Sequence, residues 1–508
     1  MNNFTYEADW RKYVYEPQQA KLATKEEIAE AFTPVNFTTP TMEHGGIPLI
    51  SDGKKGVVID NENMSLVFGS TGSGKTRLLA SEVICSLAKA GESMIIVDQK
   101  GSFSSGRDLA PYIRGTLEEQ KYNTIFLDFK DFSSGGLNIL GPAYNYYKAG
   151  KISEAKTYID KIMKNLVGTR LTDAPKDAMW TNLAVQYIKA VAIVVAKYAP
   201  TIADFNFQSI KHFMNPEAAR ILGNIVDELE LDPSTIDDLK SVCSAHHNGI
   251  TSVMITASEM LAPMTSNEKM LKTITYNTFA IDTIYKEKTA LFIILPEDGT
   301  YNFMASIVLG IIMDKLNDEA YRNADNRLPR RVNIVADEFP NYTLDKMRTR
   351  ISTDRSKNIR WYLFCQGLKQ LEKSYPNDYE TILANCTNWF YLGSPELELL
   401  DRLSAATGIR TDNPNGWGKP LISTQALRGL KITEQGKQFY FTDGKKHFVG
   451  CLPDITQYTG FYPAKSRVYK IPTYRYPFIS DFSIKTLKNI ILSQKSWLDD
   501  SFNVDFDD

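Results

Sequence analysis

The stretch MSLVFGSTGSGKTRLLASEVICSLAKA, residues 64–90, decides how this chain is read. Its centre, Gly69-Ser70-Thr71-Gly72-Ser73-Gly74-Lys75-Thr76, fits the pattern G-x-x-x-x-G-K-[ST] throughout. Glycines let the backbone curl until successive N–H groups converge on phosphate oxygens. Lys75 sets a point charge beside the β- and γ-phosphates, and Thr76 offers a hydroxyl to Mg²⁺. Alone, such a match is also met in glycine-rich surface turns. Here the apolar run MSLVF (64–68) precedes it and the helical run TRLLASEVICSLAKA (76–90) follows it, adding the positive end of a helix dipole. Strand, loop and helix in that order predict nucleotide binding.

Downstream, SMIIVD (93–98) and NTIFLDF (123–129) read as short strands separated by helical or loop sequence. Strands alternating with helices predict a parallel, helix-covered sheet. From about Tyr144 to Tyr285 the strand signals nearly vanish. Trp180, Ala184, Tyr187, Val191, Val194 and Tyr198 recur at steps of three and four, one face of a helix. ISEAKTYIDKIMKNLV (152–167) and TSVMITASEMLAPM (251–264) read likewise. The sheet pattern resumes with TALFIILP (289–296), RVNIVADEF (331–339), IRWYLFCQ (359–366) and NWFYLG (388–393). One α/β core interrupted by an all-α domain accounts for this order. Upstream, GIPLIS and GVVID flank Asp52-Gly53-Lys54-Lys55 and predict a hairpin, while TPVNFTTPT (33–41) is too rich in Thr and Pro for regular structure. The predicted division is a leader over 1–45, a nucleotide-binding domain over 46–143 and 286–475, the all-α domain over 144–285, and a C-terminal helix with an acidic tail over 476–508.

A phosphate loop needs an acidic partner at the end of a neighbouring strand. VNIVADE (332–338) supplies one: Asp337 would hold Mg²⁺ through its water shell, and Glu338 would polarise the attacking water. Asp98, ending SMIIVD, is either a rival for the metal-proximal acid or a residue capping a turn. Gln366 ends the strand WYLFC, where a carboxamide can touch both γ-phosphate and water; the plainer alternative is a polar strand end. Between Asn341 and Lys373, Lys346, Arg348, Arg350, Arg355, Lys357, Arg360, Lys369 and Lys373 outnumber Asp345, Asp354 and Glu372. One arginine, with Arg355 the candidate, would reach a neighbouring subunit's γ-phosphate while others face nucleic acid. The competing reading is a solvated helix face.

The 508 residues leave room for roughly two to four domains. With 43% hydrophobic and 23% charged residues the chain is globular, not disordered or fibrous. A formal charge of -2 excludes a uniformly basic nucleic-acid coat. Five scattered cysteines predict reduced thiols, and Cys243 with His246 and His247 lacks the second cluster that a four-ligand metal site needs. Met1 to Glu30 has no apolar core and is not a signal peptide. The best membrane candidate, Ala184–Ala196, carries Gln186 and Lys189 and falls short of the ~20 apolar residues a span needs. The last ten residues hold five aspartates, either a solubilising end or a site for a basic partner.

Taken in order, these motifs resemble the coupling ATPases of type IV secretion and conjugative DNA transfer, over roughly residues 46–450. Asp98-Gln99-Lys100-Gly101-Ser102 is similar to the family's Asp-Pro-Lys-Gly-Glu, Asn138-Ile139-Leu140 to its Asn-Pro-Leu, and Asp177-Ala178-Met179-Trp180 to the start of its helical domain. Phe292-Ile293-Ile294-Leu295-Pro296, Asp337-Glu338-Phe339-Pro340-Asn341 and Gln366-Gly367-Leu368-Lys369-Gln370-Leu371 resemble its later signatures. Lys419-Pro420-Leu421-Ile422, leading to the turn at Asp443-Gly444, resembles its closing strands. Gln99 and Ser102 depart from the pattern, so the role of that motif's glutamate does not carry over. The family's N-terminal transmembrane helices have no counterpart here, so membrane attachment is expected through a partner.

The resemblance implies a RecA-like P-loop NTPase core with a parallel-rich central sheet, acting with ATP and Mg²⁺ as a hexameric motor. It implies a cytoplasmic protein, peripheral at the inner face of the cell membrane, that passes DNA, single-stranded by expectation, a relaxase on DNA or an effector protein to a channel. Two alternatives stand beside it. One is a nucleotide-gated receptor or adaptor with little hydrolysis. The other is a DNA-segregation or packaging translocase, against which the helical insertion argues.

Overall fold

The computed structural model describes residues 20–167, 175–410, 418–461 and 468–502, with side chains left aside at 167, 175–178, 247 and 494–502. The side chains of the five aspartates near the C-terminus and of Asp177 therefore lie outside the described residues. At the centre is a ten-stranded sheet. In chain order, nine of its strands are β1 (Ser65–Phe68), β2 (Ser93–Gln99), β3 (Asn123–Asp128), β4 (Thr289–Leu295), β5 (Val332–Ala336), β6 (Ile359–Cys365), β7 (Asn388–Tyr391), β8 (Gly436–Thr442) and β9 (His447–Leu452). Their order across the sheet is β8-β7-β1-β6-β5-β2-β4-β3, with the two-residue strand Ile432–Thr433 beyond β8 and β9 also paired to β8. From β7 to β3 every pairing is parallel, while β8 adds antiparallel to β7.

The near-continuous apolar runs of β2, β4 and β6 follow from burial on both faces. Alternate side chains of β4 divide between two cores. Leu291, Ile293 and Leu295 face the core shared with the helical insertion, and Ala290, Phe292 and Ile294 face the helix Ser81–Lys89. This α/β architecture, a RecA-like core with a separate all-α region, is the one the sequence predicts. One relationship differs. The acidic strand β5 does not adjoin β1; β6 lies between them. Parallel pairing is set by long-range register that no local pattern encodes, and the intervening strand is the one that Gln366 follows.

Among the described residues no strand separates β3 from β4. The intervening helices include Gly141–Lys148, Ile152–Val167, Pro175–Tyr198 and His247–Thr265. Pro175–Tyr198 contains an apolar window, Met179–Tyr198, of 20 residues and mean hydropathy 1.4, longer than the run expected from sequence. Among the described residues it is the one helix with the length and composition to span a bilayer. It is packed as a core helix. Ala190–Ala196 are buried, Lys189 Nζ meets Asp160 Oδ1 at 2.8 Å, and Gln186 Nε2 donates to Asp238 Oδ1 at 2.7 Å.

The Thr/Pro-rich leader is more ordered than its composition predicts. Thr33–Asn36 is an edge strand, antiparallel to Lys55–Ile59, which in turn forms the expected hairpin with Ile47–Ser51. An edge tolerates Pro34, whose missing N–H would break a central ladder. Buried Phe37 then stacks edge-on against Tyr458 at 5.1 Å. Far along the chain, the segment after residue 468 runs back over the insertion. Tyr474 N donates to Ser133 O at 2.7 Å, Asn206 Nδ2 to Ser480 O at 2.7 Å, and Phe482 N to Ser209 Oγ at 2.9 Å. Phe482 and Leu487 are buried there, leading into the helix Ile484–Phe502.

Candidate functional site: a phosphate loop facing two acids and a carboxamide

The loop leaves β1 tied to both neighbouring strands: Gly69 N donates to Cys365 O at 3.1 Å and Ser70 N to Gly393 O at 2.8 Å. Gly72 and Gly74 hold φ of 78° and 95°, the left-handed region that glycine reaches without strain. A Cβ on Gly74 would stand 2.4 Å from Leu78 Cδ1, and one on Gly69 would stand 2.3 Å from Ser73 Oγ. Side chains of the loop and its helix thus fill the space beside two of the three glycines. The first turn of the following helix, Lys75–Ala80, is π-wound, and Thr76 is its second residue. Lys75 is 4% exposed; its Nζ donates to Gly69 O and lies 3.7 Å from Glu338 Oε1.

Asp337 follows the tip of β5 and is 4% exposed. Burial first, then the charges of Glu338 and Asp98, push its carboxyl up to about 7. Among the described residues its Oδ1 has no hydrogen-bond partner. Glu338 turns sharply away at φ 48°, a left-handed position that points its side chain back across β6 toward the loop. Its Oε2 accepts from Gln366 Nε2 at 3.0 Å. Gln366 is itself held: its N–H donates to Gln370 Oε1 at 3.2 Å, and Gln370 Nε2 donates to Asn341 Oδ1 at 3.1 Å. Of the residues singled out from sequence, Lys75, Asp337, Glu338 and Gln366 therefore converge at the carboxyl end of the sheet.

Asp98 also ends its strand here, but its oxygens are engaged. Oδ1 accepts from Phe103 N at 3.1 Å and Oδ2 from Ser104 N at 2.8 Å, so it caps the turn after β2. Burial pushes its carboxyl up to about 6. Gln99 donates to Pro296 O at 3.0 Å, bracing the neighbouring strand end. The donor set fits Mg²⁺, a hard cation that takes oxygen ligands and keeps several waters: Asp337 brings an unbonded buried oxygen, and the Thr76 hydroxyl belongs to the adjoining turn.

Arg355 is not part of this cluster. It precedes β6, at the amino end of the strands and opposite the loop, where Nη1 donates to Asn63 Oδ1 at 3.2 Å. The basic run divides in two. Arg350, Lys357 and Arg360 are buried and bonded inside the fold, to Asp314 Oδ1 at 2.7 Å, Asn317 Oδ1 at 2.8 Å and Glu92 Oε2 at 2.9 Å. Neither a solvated face nor a nucleic-acid contact describes these three. Lys346, Arg348, Lys369 and Lys373 are exposed, as is Arg355.

Sequence reading missed the bracing of the loop helix from the far end of the chain. Arg77 donates through Nε and Nη2 to Asp454, the latter at 3.1 Å, and Tyr458 OH donates to buried Glu82 Oε2 at 2.8 Å. Separations of 377 and 376 residues leave no local signal for either pair.

A glycine-rich loop between β1 and its helix, two acids across an intervening strand and a parallel sheet define a P-loop protein of the RecA-like class. Within that class, the family described as Type IV secretory system Conjugative DNA transfer matches residues 15–428, and this chain belongs to it. No curated protein matches the chain. Among solved structures, the bacterial conjugative coupling protein TrwBdeltaN70 in its unbound monoclinic form is 14% identical, with a TM-score of 0.60 over 90% of this chain and 96% of that one. TrwB with the ATP analogue ADPNP gives 14% and 0.59 over 90% and 97%, and TrwB with ADP and Mg²⁺ gives 13% and 0.56 over 92% and 97%. These likenesses concern the fold.

Proposed function

We propose that this chain is an ATP-hydrolysing, Mg²⁺-dependent coupling protein that drives DNA, or a relaxase or effector protein, toward a type IV secretion channel. The observation that carries the ATPase reading is the chain of contacts Lys75–Glu338–Gln366 at the mouth of the phosphate loop. A protein that only senses nucleotide needs the loop but has no use for a carboxylate and a carboxamide aimed at it from two further strands. In this reading Gly69, Ser70, Thr71, Gly72, Ser73 and Gly74 bind phosphate through backbone N–H groups, and Lys75 neutralises charge on the β- and γ-oxygens. Thr76 and Asp337 hold Mg²⁺, which spreads negative charge off the transferring group. Glu338 accepts the proton of a water whose oxygen bonds to the γ-phosphorus as the bond to the bridging oxygen breaks, with ADP leaving on that electron pair. Gln366 orients the water and reports the γ-phosphate. Arg355 of one subunit would complete the site of the next in a hexameric ring, and a partner protein would hold that ring at the inner face of the membrane.

A second reading, a nucleotide-gated receptor with little hydrolysis, is favoured by Gln99 and Ser102 in the Asp98 turn. ATP turnover by the full chain, alone and with single- or double-stranded DNA, separates the two. The motor reading expects DNA-stimulated hydrolysis abolished by Lys75→Ala and by Glu338→Gln, with nucleotide binding retained in the latter; a base of this kind contributes roughly 10²–10⁴-fold. Nucleotide binding without DNA-responsive hydrolysis would sink the motor reading in favour of the receptor.

A further inference from the structure

We infer that Glu396 is a positioning residue for hydrolysis: its carboxylate fixes the Gln366 turn against the phosphate loop. Nothing in the local sequence marks Glu396; it sits in the connection after β7, 30 residues past Gln366. Its two oxygens are both committed to the turn. Oε2 accepts from Leu368 N at 2.7 Å and Oε1 from Lys369 N at 2.8 Å. These are the first two N–H groups of the short helix Leu368–Ser374, which has no side-chain cap of its own. Charge-assisted bonds of this length are about twice as strong as neutral ones.

The approach is close enough to constrain the intervening residue. A Cβ on Gly367 would lie 2.2 Å from Glu396 Oε2, so a side chain there and the carboxylate cannot share the space. Gly367 is extended, and its requirement is room rather than an unusual backbone angle. Glu396 is in turn fastened from below. Its N–H donates to Ser394 Oγ at 3.3 Å, and Ser394 N donates to the hydroxyl of buried Tyr391 at 2.8 Å. The same connection carries Gly393, whose carbonyl accepts from Ser70 N of the phosphate loop at 2.8 Å. One short connection thus grips the phosphate loop through Gly393 and the Gln366 turn through Glu396. Gln366 then meets Glu338 at 3.0 Å. A shift of the turn by an ångström would part Gln366 from Glu338, a misplacement of the size that costs ~10²-fold in positioned catalysis.

The inference rests on the ATPase reading above. Its test is a double-mutant cycle in full-length protein, with kcat and KM for ATP measured on wild type, Glu396→Ala, Gln366→Ala and the double variant, beside thermal melts. Loss of the turn's anchor is expected to lower kcat about tenfold or more with KM held within about twofold. In the Gln366→Ala background the same change should add little further loss, because the residue it positions is gone. Glu396→Gln, which keeps one acceptor, should recover part of kcat. A cap that serves stability alone would lower the melting temperature and multiply independently with Gln366→Ala, and that outcome overturns the assignment. So does full activity in Glu396→Ala. Should Glu396→Ala fail to fold, Glu396→Gln carries the cycle by the same criteria. A wild type that hydrolyses no ATP while Glu396→Ala melts normally sinks the motor reading first, and this assignment with it.

Discussion

Gln366 Nε2 donates to Glu338 Oε2 at 3.0 Å across the edge between β5 and β6, and the other oxygen of Glu338 faces Lys75 Nζ at 3.7 Å. The carboxylate that would take a proton from water is thereby tied to the carboxamide that would orient that water. In the ATPase reading a γ-phosphate approaching Lys75 would compete with Glu338 for its charge, which would couple phosphate binding to release of the carboxylate.

Gln366→Ala should lower kcat about tenfold or more, equivalent to ~1.4 kcal/mol on the barrier, with nucleotide affinity little changed. Steady-state turnover against ATP concentration reads both quantities. An effect on KM alone would mean that the carboxamide binds nucleotide rather than the transition state.

Arg355 lies at the amino end of the central strand β6, opposite the end that carries the phosphate loop, so any role at a γ-phosphate is in trans. Arg355→Ala and Lys75→Ala proteins should each be inactive alone and regain a fraction of turnover when mixed, because mixed interfaces bring an intact loop to an intact arginine. Absence of recovery in rings shown to exchange subunits would remove Arg355 from the site.

Tyr458→Phe should destabilise the protein by about 1–3 kcal/mol, since it strips the hydrogen bond from a Glu82 carboxyl that is fully buried and whose Oε1 has no partner among the described residues. Burial holds that carboxyl well above its usual range. Chemical denaturation of the purified variant measures the change; an unaltered midpoint would show that this contact does not brace the loop helix.

Asp354 offers a pH test away from the loop. Burial pushes its carboxyl from 3.8 up to about 6, although Trp361 Nε1 donates to its Oδ2 at 2.9 Å. Between those values the folded chain holds a proton that the unfolded chain has released. This group's contribution therefore falls by about 1.4 kcal/mol per pH unit as pH rises from about 4 to 6, then levels off. Asp354→Asn removes the titration, so its stability relative to wild type should climb through that window and stay level above it. A difference that does not change with pH would place the carboxyl at its ordinary value in the fold.

Much of the site was legible because its chemistry is written in neighbouring residues. The loop 69–76 needs only adjacent glycines and one lysine, and Asp337, Glu338 and Gln366 each announce themselves as polar residues ending apolar runs. The same rule left Asp98 ambiguous, since a strand-end acid reads alike whether it faces a metal or caps a turn. Only the bonds from Phe103 and Ser104 show that its oxygens are engaged. The basic run misled for a related reason: charge is visible in sequence, but Asp314, Asn317 and Glu92, the partners of Arg350, Lys357 and Arg360, lie 36, 40 and 268 residues away. Thr33–Asn36 failed by composition, because a strand at a sheet edge draws its stability from its neighbour rather than from its own propensity.

What the sequence determined by itself is what short-range physics controls: the curl of the phosphate loop, the alternation of strands with helices, the helical period of the insertion, and hence the class of protein. Tertiary structure alone decided that β6 stands between the loop strand and the acidic strand, that Glu338 bends back at a left-handed backbone angle to meet Gln366, and that Asp454, Tyr458 and Glu396 brace the site from afar. Backbone angles and side-chain periodicity depend on a few adjacent residues. Strand order and carboxylate reach depend on which distant segments exclude water together, and that is settled only when the whole core closes.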